Sequence, residues 1–366
     1  MKKLFKNTAI VISFLLIFST CFPHFVKAAG TENAQSDVSG IYIETTPVSN
    51  KILTYAKDNF SIVAASIYDS IQTGDIVGSR SADICFGEPF TINSIAYFPV
   101  MQKSGIIALL AIIDDAYLSW SLSRGFSSSL NDLKYTEKNS PAKLVTERGN
   151  IFALCKGNKY QLTNYPQTSS VDASVDRNMG TTVNLRKIIH IERNRLHRKL
   201  ISLRNTPYKN LSLDLKEVQG EDNWCAAYSE AAILRYMGYA NVYAPSIIHF
   251  FYPSSPKPAL ECLSDTNVID YANLKGSHPR YSAGTLLDSQ VRKEIDNSRP
   301  IYLKCQGNEA AHKDWHAVVL RGYNVNQMTY SIWNPWEQCY VTISRTGRRF
   351  AGNGGYFTWK ETIYDW

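Results

Sequence analysis

Apolar and polar positions divide the chain into two differently patterned halves. From Ile41 to about Gln161, short apolar runs alternate with turn residues. The runs include Ile41-Tyr42-Ile43, Phe90-Thr91-Ile92, Ile95 to Val100 and Ile106 to Ile113. Gly74-Asp75, Gly87-Glu88 and Lys103-Ser104-Gly105 punctuate them, which predicts an antiparallel β domain. One helix is expected within it, over Lys51 to Ile71. Asn164 to Gly180, rich in Ser, Thr, Asn and Asp, reads as a loop, and Thr181 to Ile201 as a very basic helix. Beyond Ser202 the period changes. Ala226, Ala227, Ala231, Ile233, Leu234 and Met237 recur at helical spacing and Gly238 closes them, predicting a helix over Cys225 to Met237. Further helices are expected over Ala244 to Phe251 and Gly284 to Ile295. Strands follow at Pro300 to Lys304, His316 to Gly322, Thr329 to Trp333 and Gln338 to Ile343. Helices first and then a β-meander make this half an α+β domain.

The first residues stand apart from both halves. Lys2, Lys3 and Lys6 precede the apolar run Ala9 to Phe18, and Val26-Lys27-Ala28-Ala29 offers a small-residue cleavage site. That predicts a signal peptide over 1–29 and export, with a retained membrane anchor as the alternative. The length of 366 residues suits two globular parts, and 44% hydrophobic residues suffice for packed cores. The net charge of +7 is concentrated in Arg186, Lys187, Arg193, Arg195, Arg198, Lys199 and Arg204. This cluster has no interleaved aromatics and lies between the halves, so it reads as a protease-sensitive connector over 186–204 and not as a nucleic-acid patch. Six cysteines remain after the signal (Cys85, Cys155, Cys225, Cys262, Cys305 and Cys339), with no Cys-x-x-Cys pair. No zinc site or dense disulfide framework is expected, though one disulfide among Cys262, Cys305 and Cys339 is compatible with export.

Four residues in the second half have the types and order that thiol hydrolysis needs. Cys225 opens the Ala-rich helix, where the N-terminal dipole favours thiolate. A buried core thiol is the other use of a cysteine there. His316 begins the apolar strand Ala317 to Leu320, which would hold its imidazole at a rigid edge for proton transfer. His312, in the polar run Asn308 to Asp314, is the rival and reads as a solvated loop residue. Asn334, in Trp333-Asn334-Pro335-Trp336, would accept a hydrogen bond from the second ring nitrogen of His316, with Trp336 as its shield. The same Asn-Pro pair is also an ordinary turn signal. Gln219, six residues before Cys225, would donate to a developing oxyanion beside the Cys225 N–H.

These motifs, Gln219 through Tyr228, His316-Ala317-Val318-Val319 and Trp333-Asn334-Pro335-Trp336, resemble the papain-like cysteine peptidases, and among them the secreted bacterial staphopain group. The resemblance covers roughly Ser202 to Trp366. It implies a two-lobed catalytic domain over 205–366, with a helical lobe bearing Cys225 and an antiparallel β lobe bearing His316 and Asn334. It also implies that the β-rich stretch 30–185 is an inhibitory pro-domain, released by cleavage in the basic connector. Where plant and animal relatives place Gly-Ser before the nucleophile and Trp after it, this chain has Asn223-Trp224 and Ala226, as staphopain-like enzymes tend to.

The expectation is therefore a secreted monomeric cysteine endopeptidase made as a zymogen, with no cofactor or metal and no nucleic-acid partner. Its partners would be a peptide or protein substrate, its own pro-domain and a dedicated protein inhibitor. Two other readings keep to the same residues. One is a cell-wall peptide amidase or leader-processing peptidase with the same site. The other is a catalytically silent secreted binding protein whose β-rich half does the binding.

Overall fold

Why the first half is strand-rich, and what its one long helix is for, follows from the distribution of its apolar residues. A computed structural model describes residues 40–103, 105–133, 136–164, 180–191, 208–311, 315–337 and 339–366. The expected signal peptide and the residues after it to 39, the expected loop over 165–179, the connector from Glu192 to Arg204 and His312 lie outside the described residues. Helix α1 (Asn50–Thr73) starts where the Ser49 hydroxyl accepts the Ile52 N–H and ends at Gly74, whose φ of 82° suits glycine. Its stripe of Ile52, Ala56, Phe60, Val63 and Ile67 is buried against Phe86, Phe98, Val100, Leu110 and Leu122.

Those partners lie on strands β2 (Ile84–Gly87), β4 (Ile95–Gln102), β5 (Gly105–Asp114) and β6 (Leu118–Ser123), after β1 (Tyr42–Thr45) and with β3 (Phe90–Ile92) beside β4. A short helix, α2 (Ser127–Asp132), follows β6. Strands β7 (Ala142–Glu147), β8 (Asn150–Cys155), β9 (Asn158–Gln161) and β10 (Thr181–Asn184) join β1 in a second sheet of order β10-β1-β7-β8-β9. The pairing is antiparallel except between β1 and β7.

The helix expected over Thr181 to Ile201 is not formed in its described part. Residues 181–184 are β10 on the edge of β1, and β11 (Ile188–Ile189) pairs with β2. Thr181, Thr182, Val183, Ile188 and Ile189 are β-branched and lose χ1 freedom in a helix, whereas open sheet edges accept them. The basic residues had masked that preference.

In the second half, strand β12 (Tyr208–Asn210) leads to α3 (Cys225–Tyr236) and α4 (Ala244–Phe251), as expected. Next comes α5 (Asp265–Leu274), which the apolar pattern did not predict. It begins with a capping box in which Ser264 and Asn267 bond each other's backbone N–H groups. After β13 (Arg280–Ser282), α6 (Asp288–Asp296) starts four residues later than expected. The strands are β14 (Ile301–Gly307), β15 (Trp315–Asn324), β16 (Thr329–Trp333), β17 (Tyr340–Ser344), β18 (Arg349–Gly352) and β19 (Gly355–Tyr364); the last two were not anticipated.

Two apolar layers sandwich this sheet. Ala317, Val319, Tyr302 and Trp333 face α3, while Val318, Leu320, Leu303 and Phe357 form the core of the opposite face. The β15 strand therefore sits directly under the helix that Cys225 opens. Strand β6 of the first half pairs with β17 of the second, so one sheet runs β11-β2-β4-β5-β6-β17-β16-β15-β14-β19-β13.

Candidate active site

The loop entering α3 is fixed before the helix begins. Asp222 accepts the Trp224 N–H on Oδ1 at 3.0 Å and the Tyr228 hydroxyl on Oδ2 at 3.3 Å. The Trp224 indole N–H donates to the Pro258 carbonyl at 2.8 Å, and the Asn223 N–H to the Ala259 carbonyl. Cys225 follows as the first residue of α3, 8% exposed. Residues Cys225 through Arg235 are all buried, so α3 is a central helix and not an amphipathic surface one.

His316, the second residue of β15, is 1% exposed, and its cross-strand neighbour is Cys305 of β14. Its Nε2 lies 2.8 Å from Asn334 Oδ1. The same oxygen accepts the Trp336 N–H at 3.2 Å. Trp336 stacks on the imidazole with centroids 3.7 Å apart and planes 14° from parallel, and Phe357 closes the ring in at 5.3 Å. The pair is thereby kept from water, where a hydrogen bond is electrostatically stronger than in solvent. Asn334 is buried at the end of β16, in the turn Asn334 to Glu337.

Gln219 is buried and its N–H donates to the Pro335 carbonyl at 2.8 Å, which fastens it to the Asn334 turn. Its side-chain Nε2 donates to the Asp222 carbonyl at 2.6 Å. Three of the residues singled out in sequence, Gln219, His316 and Asn334, are thus joined through short links, and Cys225 stands at the start of the helix that packs on the same sheet. Gln219 reaches both the 334–336 turn and the loop that starts α3, Asn334 reaches His316, and α3 packs on the strand that carries His316.

Cys262, Cys305 and Cys339 are free thiols, so the disulfide considered among them is not formed. Cys262 is exposed, whereas Cys305 and Cys339 are buried and their thiols are pushed up by burial. For Cys305 the neighbouring Cys225 adds to that shift, and for Cys339 the neighbouring Glu337. Thiols held protonated in this way are inert, which distinguishes them from a nucleophile.

Two groups escaped the sequence reading. Glu230, at the centre of α3, is 0% exposed, and neither carboxyl oxygen has a hydrogen-bond partner among the described residues. Burial raises its pKa well above the ordinary carboxyl value. It is the lone acid in an Ala-rich run, and only the all-round burial of the helix reveals what that means. Lys304 of β14 bridges Asp265 of α5 at 2.6 Å and Glu361 of β19 at 3.0 Å, beneath the exposed Trp315 ring at 4.8 Å. No spacing in the sequence joins those three. Among the described residues no group of His, Cys, Asp and Glu gathers as a metal site.

A buried imidazole held by an amide, beside a helix opened by cysteine, has the chemistry of a thiol hydrolase, and the chain is a cysteine peptidase similar to the staphopains. Residues 204–366 match the family described as Staphopain peptidase C47. Staphopain A of Staphylococcus aureus (strain MRSA252) is 20% identical over 391 residues, covering 98% of this chain and 99% of the relative. An extracellular cysteine protease of Staphylococcus epidermidis (strain ATCC 12228 / FDA PCI 1200) is 21% identical over 318 residues, covering 78% of this chain and 80% of the relative.

Proposed function

We propose that the protein is a secreted cysteine endopeptidase made as a zymogen, in which Cys225 attacks the peptide carbonyl and His316 moves the proton. The observation that carries this reading is the His316–Asn334 hydrogen bond under the Trp336 ring. With Nε2 committed to Asn334, the imidazole exchanges protons with Cys225 through Nδ1. In the first step the Cys225 sulfur bonds to the carbonyl carbon and the C=O pair becomes an oxyanion. Gln219 donates to it the Nε2 hydrogen not given to Asp222, beside the Cys225 N–H; one such donor is worth about 3 kcal/mol in the transition state. His316 then protonates the departing amine, leaving a thioester. Water, deprotonated by His316, cleaves that thioester and returns the thiol.

Export rests on the N-terminal segment, and a relative carrying the name extracellular cysteine protease supports it. The zymogen part rests on the way the first half lies against the second, β6 against β17. The peptide substrate is the one implied by the family; neither the cell-wall amidase nor the silent binding protein has an observation in its favour. The test is Cys225→Ala: cleavage of casein by the processed form disappears while the fold, read by circular dichroism, is retained. Full activity in that variant would refute the assignment.

A further inference from the structure

We propose that Asp222 is a positioning residue of the peptidase site, one that holds the Gln219 amide and the Cys225 N–H at the separation an oxyanion needs. This rests on the Cys225–His316 reading above and adds what sets the geometry of its oxyanion donors.

The two donors come from different kinds of backbone. Gln219 lies in a loop, and Cys225 is the first residue of a helix. Asp222 stands between them and is bonded in both directions. Its main-chain carbonyl takes one hydrogen of Gln219 Nε2 at 2.6 Å and leaves the second free to point elsewhere. Its carboxylate reaches forward, with Oδ1 accepting the Trp224 N–H at 3.0 Å and Oδ2 the Tyr228 hydroxyl at 3.3 Å. An Asp that bonds the backbone two residues on closes a tight turn of its own.

On the Gln219 side, the bond to Asp222 is what orients the amide. Gln219 is 2% exposed, and its Oε1 has no hydrogen-bond partner among the described residues. The bond from the Gln219 N–H to the Pro335 carbonyl fixes the backbone and not the side chain.

On the helix side, the N-cap residue Trp224 makes no side-chain cap bond, and the first turn of α3 carries no acid. The first N–H groups of a helix have no intrahelical acceptor. Asp222 accepts that of Trp224 and leaves the next, that of Cys225, to the substrate. The Tyr228 hydroxyl then ties the same carboxylate to the body of the helix. Burial pushes the Tyr228 pKa up and the Asp222 charge adds to the shift, so the hydroxyl stays a donor. The Pro258 and Ala259 carbonyls, which hold the Trp224 indole and the Asn223 N–H, anchor the loop but reach neither oxyanion donor.

A helix cap alone would stabilise α3 and nothing more. Asp222 also holds Gln219, and an error of about 1 Å in such an arrangement costs on the order of a hundredfold in rate.

The experiment uses the full chain, processed in solution, with Asp222→Ala, Asp222→Asn and Tyr228→Phe. Three quantities are read: kcat and KM on a peptide substrate, affinity for a peptide aldehyde, and the rate at which iodoacetamide alkylates Cys225 at neutral pH. The aldehyde carbon takes the Cys225 sulfur and its oxygen then lies between the oxyanion donors, whereas alkylation needs the thiolate alone. We expect Asp222→Ala to lower kcat and aldehyde affinity together, by roughly tenfold to a hundredfold, with KM and alkylation within about threefold of the parent. Asp222→Asn keeps an oxygen for the Trp224 N–H and should recover most of the loss. Near-UV circular dichroism checks each fold. Should Asp222→Ala fail to fold, Tyr228→Phe carries the test, with kcat and aldehyde affinity down about threefold to tenfold and alkylation unchanged. An unchanged kcat in whichever variant carries the test, no recovery with Asn, or alkylation that falls in step with kcat overturns the proposal. A parent enzyme that neither cleaves peptide nor is alkylated at Cys225 refutes the catalytic reading instead.

Discussion

At the scale of single residues, the account turns on what burial does to polar groups. His316 and Asn334 are buried and bonded to each other, so the imidazole can change charge without losing its orientation. Asn334→Ala removes a bond to a group that becomes charged, worth about 1.5–3 kcal/mol. We expect kcat/KM on a peptide substrate to fall roughly tenfold to a hundredfold, with a smaller change in melting temperature. Glu230 is the opposite case, buried and unbonded among the described residues. Because its pKa is raised in the folded state, its contribution is whole below about 4.5, the ordinary value. It is lost as pH climbs towards the raised value, since the unfolded chain releases the proton first. Glu230→Gln should therefore leave stability unchanged near pH 4 and raise it by roughly 1–3 kcal/mol at neutral pH. Denaturant midpoints measured across that range check the sign; a gain that is the same at every pH would contradict it.

At the scale of elements, the helices over 225–236 and 244–251 and the strand over 329–333 were legible because their apolar spacing is undiluted and Gly238 ends the first. The misses have separate physical causes. Helix α5 is started by a Ser–Asn capping box and carries Asp265, Asn267, Asp270 and Asn273, so its apolar stripe is thin. Strands β18 and β19 meet at Gly352 and Gly355, paired across a tight turn of Asn353 and Gly354, and so many glycines read as loop. The stretch 181–189 was judged by its charge, and its β-branched residues decided the outcome. Long-range pairing of β6 with β17 leaves no local mark at all. One element-scale prediction concerns β15, whose register shifts between Leu320 and Gly322 where β12 lies alongside. A Cβ at Gly322 would sit 2.6 Å from the Lys209 carbonyl oxygen and 1.8 Å from Asn210 Oδ1. Gly322→Ala should displace β12 and cost roughly 1–3 kcal/mol, seen as a lower melting temperature. An unchanged melting temperature would mean that β12 is not held against β15 in solution.

At the scale of the whole molecule, the sequence order Gln219, Cys225, His316 and Asn334 marked out a candidate site, while the fold around it was legible only in part. The reason is that the chemistry restricts residue type while the sheet that unites the halves restricts only pattern. The molecule joins a strand-rich first half to a peptidase half through one continuous sheet and an ion pair of Asp75 with the buried Arg321. The central claim is that Cys225, and no other thiol, is the nucleophile activated by His316. It is tested most directly by treating the processed protein with an E-64-type epoxide and mapping the adduct by mass spectrometry. The account predicts one adduct, on the peptide containing Cys225, absent from His316→Ala, with the exposed Cys262 unmodified. An adduct on Cys262 in place of Cys225, or labelling of Cys225 that is indifferent to His316, would contradict it.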